Sequence, residues 1–156
     1  MANYEFVVCS NSFTVKKEAI EDVKKVISYF EESEVDKEGN AFIGSYGEQN
    51  YSDDLKVVRD KRTNKILGTV DKGYYFLEDF LENNGIEGNS GDFEEIDFTK
   101  FIQDSLAEGE YCFIKEIGHE KLRYAGADGI LITKDKVTYI NLDFIAEKVV
   151  KGELTL

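Results

Sequence analysis

Any chemistry in this chain has to come from carboxylates. It holds 32 Asp and Glu against 19 Lys and Arg, one histidine and two cysteines. Carboxylate pairs serve glycoside and metal-assisted hydrolysis, but such pairs are defined by separation in space, and a linear order cannot select one. The stretch nearest to a ligand spacing runs from Asn83 to Glu94. With Asn83 as position one, Gly88 falls at six and Glu94 at twelve, as in a calcium loop between two helices. Asn83 and Gly85 stand where that loop needs Asp and Asp or Asn, so no metal ligand is assigned. His119 has no second His and no neighbouring Cys, which leaves no zinc spacing. Flanked by Gly118 and Glu120, it reads as an exposed hairpin-turn residue and not as a general base. The Gly85–Gly91 run lacks the Lys and the preceding strand of a phosphate loop. No catalytic residue and no cofactor site are assigned.

The acids are unevenly placed. Residues 71–110 carry twelve acids and two bases, a net charge of −10 out of −13 for the whole chain. Two predicted helices lie in this segment, with acids on their polar faces. Glu78 and Glu82 are like charges at i, i+4, as are Asp104 and Glu108, and each pair costs a helix about 0.2–0.5 kcal/mol. Such costs are small beside a folding stability of about 5–15 kcal/mol, so a merely solvated acidic face is one reading. The other is a landing surface for a basic protein, since aromatics interleave the acids and Tyr is favoured at interfaces. The candidate partner-binding residues are Tyr74, Tyr75, Glu78, Asp79, Glu82, Glu94, Glu95 and Asp97. Glu94, Glu95 and Asp97 are expected to be exposed.

The elements that must hold these residues follow from periodicity. Tyr4–Cys9 reads as a strand. Lys16–Glu32 carries the apolar stripe Ala19, Ile20, Val23, Val26, Ile27 and Phe30 of an amphipathic helix, with Thr14 as N-cap. Ala41–Tyr46, Leu55–Asp60 and Lys65–Val70 read as short strands, and Gly44 and Gly47 weaken the first of them. Tyr74–Glu82 reads as a helix ended by Asn83-Asn84-Gly85. A second helix starts at Asp97 as N-cap and ends at Gly109. Glu110–Ile117 and Lys121–Ala127 flank a turn at Gly118-His119-Glu120. Asp128-Gly129 reads as a two-residue turn, with a bulged continuous strand as the alternative that Gly126 allows. Gly129–Thr133 and Lys136–Leu142 pair across Lys134-Asp135, and a final helix ends at Gly152. The expected fold is a single α+β domain over residues 1–156. It has antiparallel sheets, about four helices and a C-terminal β-meander closed by a helix. Ile20, Val23, Ile27, Ile114, Leu131 and Ile140 are the expected core.

Composition bounds the function classes. An acidic chain lacks the clustered Lys and Arg of a phosphate-backbone binder, so no direct nucleic-acid contact is expected. Residues 1–5 lack the basic and apolar regions of a signal peptide, and no apolar run is long enough to span a membrane. Cys9 and Cys112 read as buried free thiols. A cytoplasmic protein is expected. The chain has no Pro, and its 16 Lys outnumber 3 Arg, which points to AT-rich coding.

Two stretches carry a resemblance. Met1-Ala2-Asn3-Tyr4 followed by Asn11-Ser12-Phe13-Thr14-Val15, and Ile117-Gly118-His119-Glu120-Lys121-Leu122-Arg123-Tyr124, resemble a group of small uncharacterised proteins of Gram-positive phages and conjugative elements. The resemblance covers about a sixth of the chain and implies no activity and no site residue. It implies an accessory protein of a mobile element. The expected function is therefore a non-enzymatic acidic interaction protein, acting as accessory or inhibitor on a basic partner through residues 71–110. The alternatives are a small carboxylate-based or divalent-metal-dependent enzyme and an assembly protein.

Overall fold

The computed structural model describes residues 5–46, 51–120 and 124–154. Tyr4, Gly47 and the first residues of the predicted strand 121–127 lie outside them. The chain opens with β1 (Glu5–Ser10) and the short β2 (Phe13–Thr14). A 3-10 turn at Lys17–Ala19 leads into α1 (Ile20–Ile27). Then come β3 (Glu34–Val35), β4 (Asn40–Phe42), β5 (Gly44–Tyr46), β6 (Leu55–Asp60) and β7 (Lys65–Asp71). They are followed by α2 (Leu77–Asn83), β8 (Phe93–Asp97) and α3 (Phe98–Ser105). The chain closes with β9 (Tyr111–Glu120), β10 (Tyr124–Thr133), β11 (Val137–Asn141) and α4 (Leu142–Val150). The fold is α+β with antiparallel sheets throughout, as its hairpin-grouped strands imply. No helix among the described residues is long and apolar enough to cross a membrane.

Three sheets form. The largest has the order β11-β10-β9-β1-β5, and two smaller ones run β2-β4-β3 and β7-β6-β8. The main core gathers Val8, Ile114, Ile130 and Ile132 from one face of the large sheet with Val23, Val26, Ile27 and Phe30 of α1. Phe98 and Ile102 of α3 and Val57 of β6 complete it. A second cluster of Val58, Val70, Leu77, Leu81 and Phe93 lies between the other face of β6 and α2. Val57 and Val58 are adjacent and both fully buried, because side chains alternate along a strand and both faces of this sheet are covered. In β7, Ile66 belongs to the main core and Val70 to the second cluster, although residues four apart share a face in a regular strand. A bulge resolves the conflict: Val58 pairs with Gly68 and Arg59 with Ile66, skipping one residue. Gly68 takes φ +152, a conformation that L side chains rarely adopt. Beyond the bulge, Thr69 faces α1 and its hydroxyl donates to the Val26 carbonyl at 2.8 Å.

Several expected boundaries shift for physical reasons. Thr14 is not a helix cap. It is a β2 residue paired with Asn40, and α1 starts only after the 3-10 turn. The strand expected over 41–46 is two strands, with Ile43 buried between them. Gly118, His119 and Glu120 belong to β9 and not to a turn; His119 pairs with Glu5 and Ala125. At Asp128-Gly129 the continuous strand forms and the tight turn does not. A Cβ on Gly129 would overlap the Phe113 ring, so glycine there serves cross-strand packing. β8 falls where only a loop and a helix cap were expected, and it completes the small sheet beside β6. Val23, Ile27 and Ile114 are buried, while Ile20, Leu131 and Ile140 are half-buried. Ile130 and Ile132 take the inward positions of β10 instead, because the inward parity is set by pairing with Ile114 and Cys112. Cys112 is buried and Cys9 half-buried, both as free thiols, and burial holds the Cys112 thiol well above its ordinary pKa.

Phe98 links the layers. It is fully buried and meets Phe30 edge-on at 5.9 Å and Tyr51 at 6.3 Å between ring centroids. Phe98→Ala is expected to cost about 3–5 kcal/mol in equilibrium urea unfolding, the range for emptying a buried aromatic site.

Candidate functional site

The acidic segment opens on a turn built by Asp71. Its buried carboxylate accepts from the Gly73 N–H at 2.9 Å, and its carbonyl accepts from the N–H groups of Tyr74 and Tyr75. This turn ends β7 and throws the next three side chains outward. Tyr74, Tyr75 and Phe76 are 82%, 56% and 72% exposed. α2 follows with Leu77 and Leu81 buried and with Glu78 and Glu82 on its open face. Asp79 is turned back on the helix, where it accepts from the Phe76 N–H at 3.2 Å. Among the described residues, no basic side chain pairs with Glu78 or Glu82. A groove of about 320 Å³ is bounded by Tyr29, Asp71, Tyr75, Phe80 and Asn84. Burial in this wall raises the Tyr29 phenol above its ordinary pKa, with the Asp71 carboxylate adding to the effect.

The three remaining candidates lie on β8 and face bases from β6 and from the turn after β7. Glu94 pairs with Arg59, Asp97 with Lys56, and Glu95 with Lys72 at 2.8 Å. Glu94 is half-buried where exposure was expected. Asp97 stands at the N-cap of α3, as its position implies, but its carboxylate goes to Lys56 and not to the helix. That pairing raises the Lys56 ammonium above its ordinary pKa. The structure thus divides the eight candidates. Tyr74, Tyr75 and Phe76 before α2, and Glu78 and Glu82 on it, are all exposed. Asp79 caps its helix, and Glu94, Glu95 and Asp97 close the β6-β7-β8 sheet electrostatically. The Asn83–Glu94 loop is likewise drawn apart: Glu94 is committed to Arg59, and Gly88 lies against the Arg62 guanidinium.

A second feature has no counterpart among the candidates. The inward face of the large sheet ends in polar side chains. Glu116 on β9 stands opposite Asp128 on β10, and Asp128 stands opposite Asn141 on β11. They continue the rows of Ile114 and Ile130, at the strand period of two. With Tyr51, Asp53, Tyr139 and Phe144 they line a cleft of about 540 Å³. Glu116 Oε2 accepts from the Tyr51 N–H at 3.0 Å, and the Asn141 amide donates to Asp128. The Tyr139 hydroxyl donates to Asp53 at 3.3 Å. Burial raises both phenols above their ordinary pKa. It also raises Glu116, and the neighbouring Asp128 charge adds to that shift against the Tyr51 N–H. The signal for this site was a carboxylate at the inward parity of each of two strands. It becomes visible only once the pairing register is known.

No family model, no curated protein and no solved structure matches the chain.

Two outcomes are expected in denaturant unfolding. Glu94→Lys, which places a cation beside Arg59, costs about 1 kcal/mol. Glu82→Lys, which replaces a like-charge i, i+4 pair with an attractive one, adds about 0.4–1 kcal/mol. For Glu116 the pKa is higher in the folded state, so the unfolded chain ionises first as pH rises, and stability falls across that window. Glu116→Gln is therefore expected to be more stable than the native chain at pH 7, with the advantage vanishing below about pH 4. Thermal melts of both proteins across pH 3–8 measure this difference.

Proposed function

We propose that the protein is a non-enzymatic interaction protein that docks a Lys- and Arg-rich surface of another protein onto Tyr74, Tyr75, Phe76, Glu78 and Glu82. One observation carries the reading: three consecutive aromatics stand in solvent just before a helix on which Glu78 and Glu82 are exposed and, among the described residues, paired with no base. Exposed aromatic side chains cost solubility and are enriched in binding surfaces. The acids beside them favour a partner of opposite charge and disfavour anionic ones. The groove beside Tyr75 has room for a long basic side chain stacked on an aromatic ring, an arrangement that cation–π attraction favours. The contrast with β8 sharpens the assignment, because there the acids are spent on internal pairs. The resemblance of the N-terminal and 117–124 segments to proteins of mobile elements extends the reading. An accessory or inhibitor protein would act in the cytoplasm on a nucleic-acid-handling protein, whose basic groove supplies such a surface.

The test is fluorescence anisotropy with a labelled Lys/Arg-rich peptide at several salt concentrations. Binding is expected to weaken as salt rises, since exposed charges are screened beyond about 8–10 Å at physiological strength. The double variants Tyr74→Ala/Tyr75→Ala and Glu78→Lys/Glu82→Lys are each expected to weaken it by about tenfold or more. Glu18→Lys/Glu108→Lys changes the net charge equally and is expected to have little effect. Equal loss in that control would reduce the interaction to general charge attraction and overturn the assignment.

A further inference from the structure

The cleft at the end of the large sheet stands apart from the α2 surface, since none of the residues lining it belongs to α2. Its volume of about 540 Å³ suits a small molecule, for which sites of about 300–1,000 Å³ are usual. Its walls are of two kinds. Ile114, Ile130 and the rings of Tyr51, Tyr139 and Phe144 supply apolar and aromatic surface. Glu116, Asp128 and Asp53 supply carboxylates, and no Lys, Arg or His lies among the described lining residues. Each carboxylate has one oxygen engaged by a donor of the protein: the Tyr51 N–H, the Asn141 amide or the Tyr139 hydroxyl. The other oxygen of each has no hydrogen-bond partner among the described residues. The site is thus oriented by internal bonds and left with spare acceptors.

These features select a ligand class. Phosphates and carboxylates would meet only like charge. Among the described residues, no three His, Cys, Asp or Glu side chains are grouped closely enough to hold a metal ion. An ammonium nitrogen holds carboxylate oxygens at about 2.7–2.9 Å, farther than the roughly 2.0–2.6 Å of a bound Mg²⁺ or Ca²⁺, and two such acceptors are enough for it. Low-dielectric walls strengthen the field of the acids within such a cleft, and aromatic faces attract an ammonium directly. We infer that this cleft is a binding site for a small organic cation, a primary ammonium on an aryl or alkyl body. Its nitrogen sits between Glu116 and Asp128, and its apolar part lies against Ile130, Tyr139 and Phe144. No bond is made or broken in this step. Glu116 is the anchor, because it is the most enclosed of the three carboxylates and stands beside Asp128 on the paired strand.

The experiment is a ¹H–¹⁵N correlation titration of the full chain with phenethylamine hydrochloride at constant ionic strength. Two comparators share its body, the neutral 2-phenylethanol and the anionic phenylacetate. Saturable shifts are expected at the amides of Gly129, Ile130, Ile140 and Asn141. 2-Phenylethanol is expected to bind at least about tenfold more weakly, as the loss of hydrogen bonds to a charged group implies, and phenylacetate to produce no saturable shift. Glu116→Gln and Asp128→Asn are each expected to weaken phenethylamine binding by about tenfold. Both are near-isosteric, and agreement of the remaining amide shifts with the native spectrum shows that the fold is retained. Glu78→Lys/Glu82→Lys is expected to leave phenethylamine binding unchanged, so this inference and the proposed docking surface stand or fall separately. No saturation up to about 10 mM, equal binding of 2-phenylethanol, or shifts outside the cleft would each overturn it.

Discussion

The structure depends on β6 being buried on both sides. Val57 and Val58 are adjacent and fully enclosed, which forces a hydrophobic layer onto each face of a three-stranded sheet. Burying each such side chain contributes about 1.5–3 kcal/mol, and it also dictates what surrounds the strand. On one face the layer is α1, α3 and the large sheet. On the other it is α2, brought there by the Asp71 turn. The bulge at Gly68 is part of the same constraint, since it lets β7 send Ile66 to one layer and Val70 to the other.

Charge is arranged around that sheet according to its pairing. β6 carries Lys56 and Arg59, the turn after β7 carries Lys72, and β8 answers with Asp97, Glu94 and Glu95. Exposed pairs of this kind contribute little one by one, but they remove the repulsion that a strand of adjacent acids would otherwise bring. Among the described residues, Glu78 and Glu82 of α2 receive no such compensation. Both are exposed, as are the three aromatics that precede the helix, a combination that folding does not require and that neutral substitutions would ease. The same −10 segment therefore contains a structural half and a free half.

A similar division applies to the large sheet. Its inward rows are apolar where α1 and α3 cover them, at Cys112, Ile114, Ile130 and Ile132. They turn polar where that cover stops, at Glu116, Asp128 and Asn141. Among the described lining residues no base offsets the burial that raises Glu116, so that carboxylate works against stability once the pH exceeds its unfolded pKa.

Local pattern alone determined the fold class, the hairpin grouping and most of the secondary structure. β6 matches its predicted span, α1 lies within its apolar stripe, and α3 starts after Asp97, because burial leaves a periodic imprint on neighbouring residues. The concentration of acids in 71–110 was equally plain. Tertiary pairing decided the rest. Phe93–Asp97 has too few residues and too many acids to announce a strand, and it becomes one only because β6 offers it an edge. The acids of β8 are neutralised by bases more than twenty residues away. Glu116 and Asp128 are unremarkable carboxylates until the register of β9 and β10 sets them side by side. Periodicity records which face of an element is buried. It carries no record of which distant residue will stand opposite, and both the open acidic surface and the cleft are made of such oppositions.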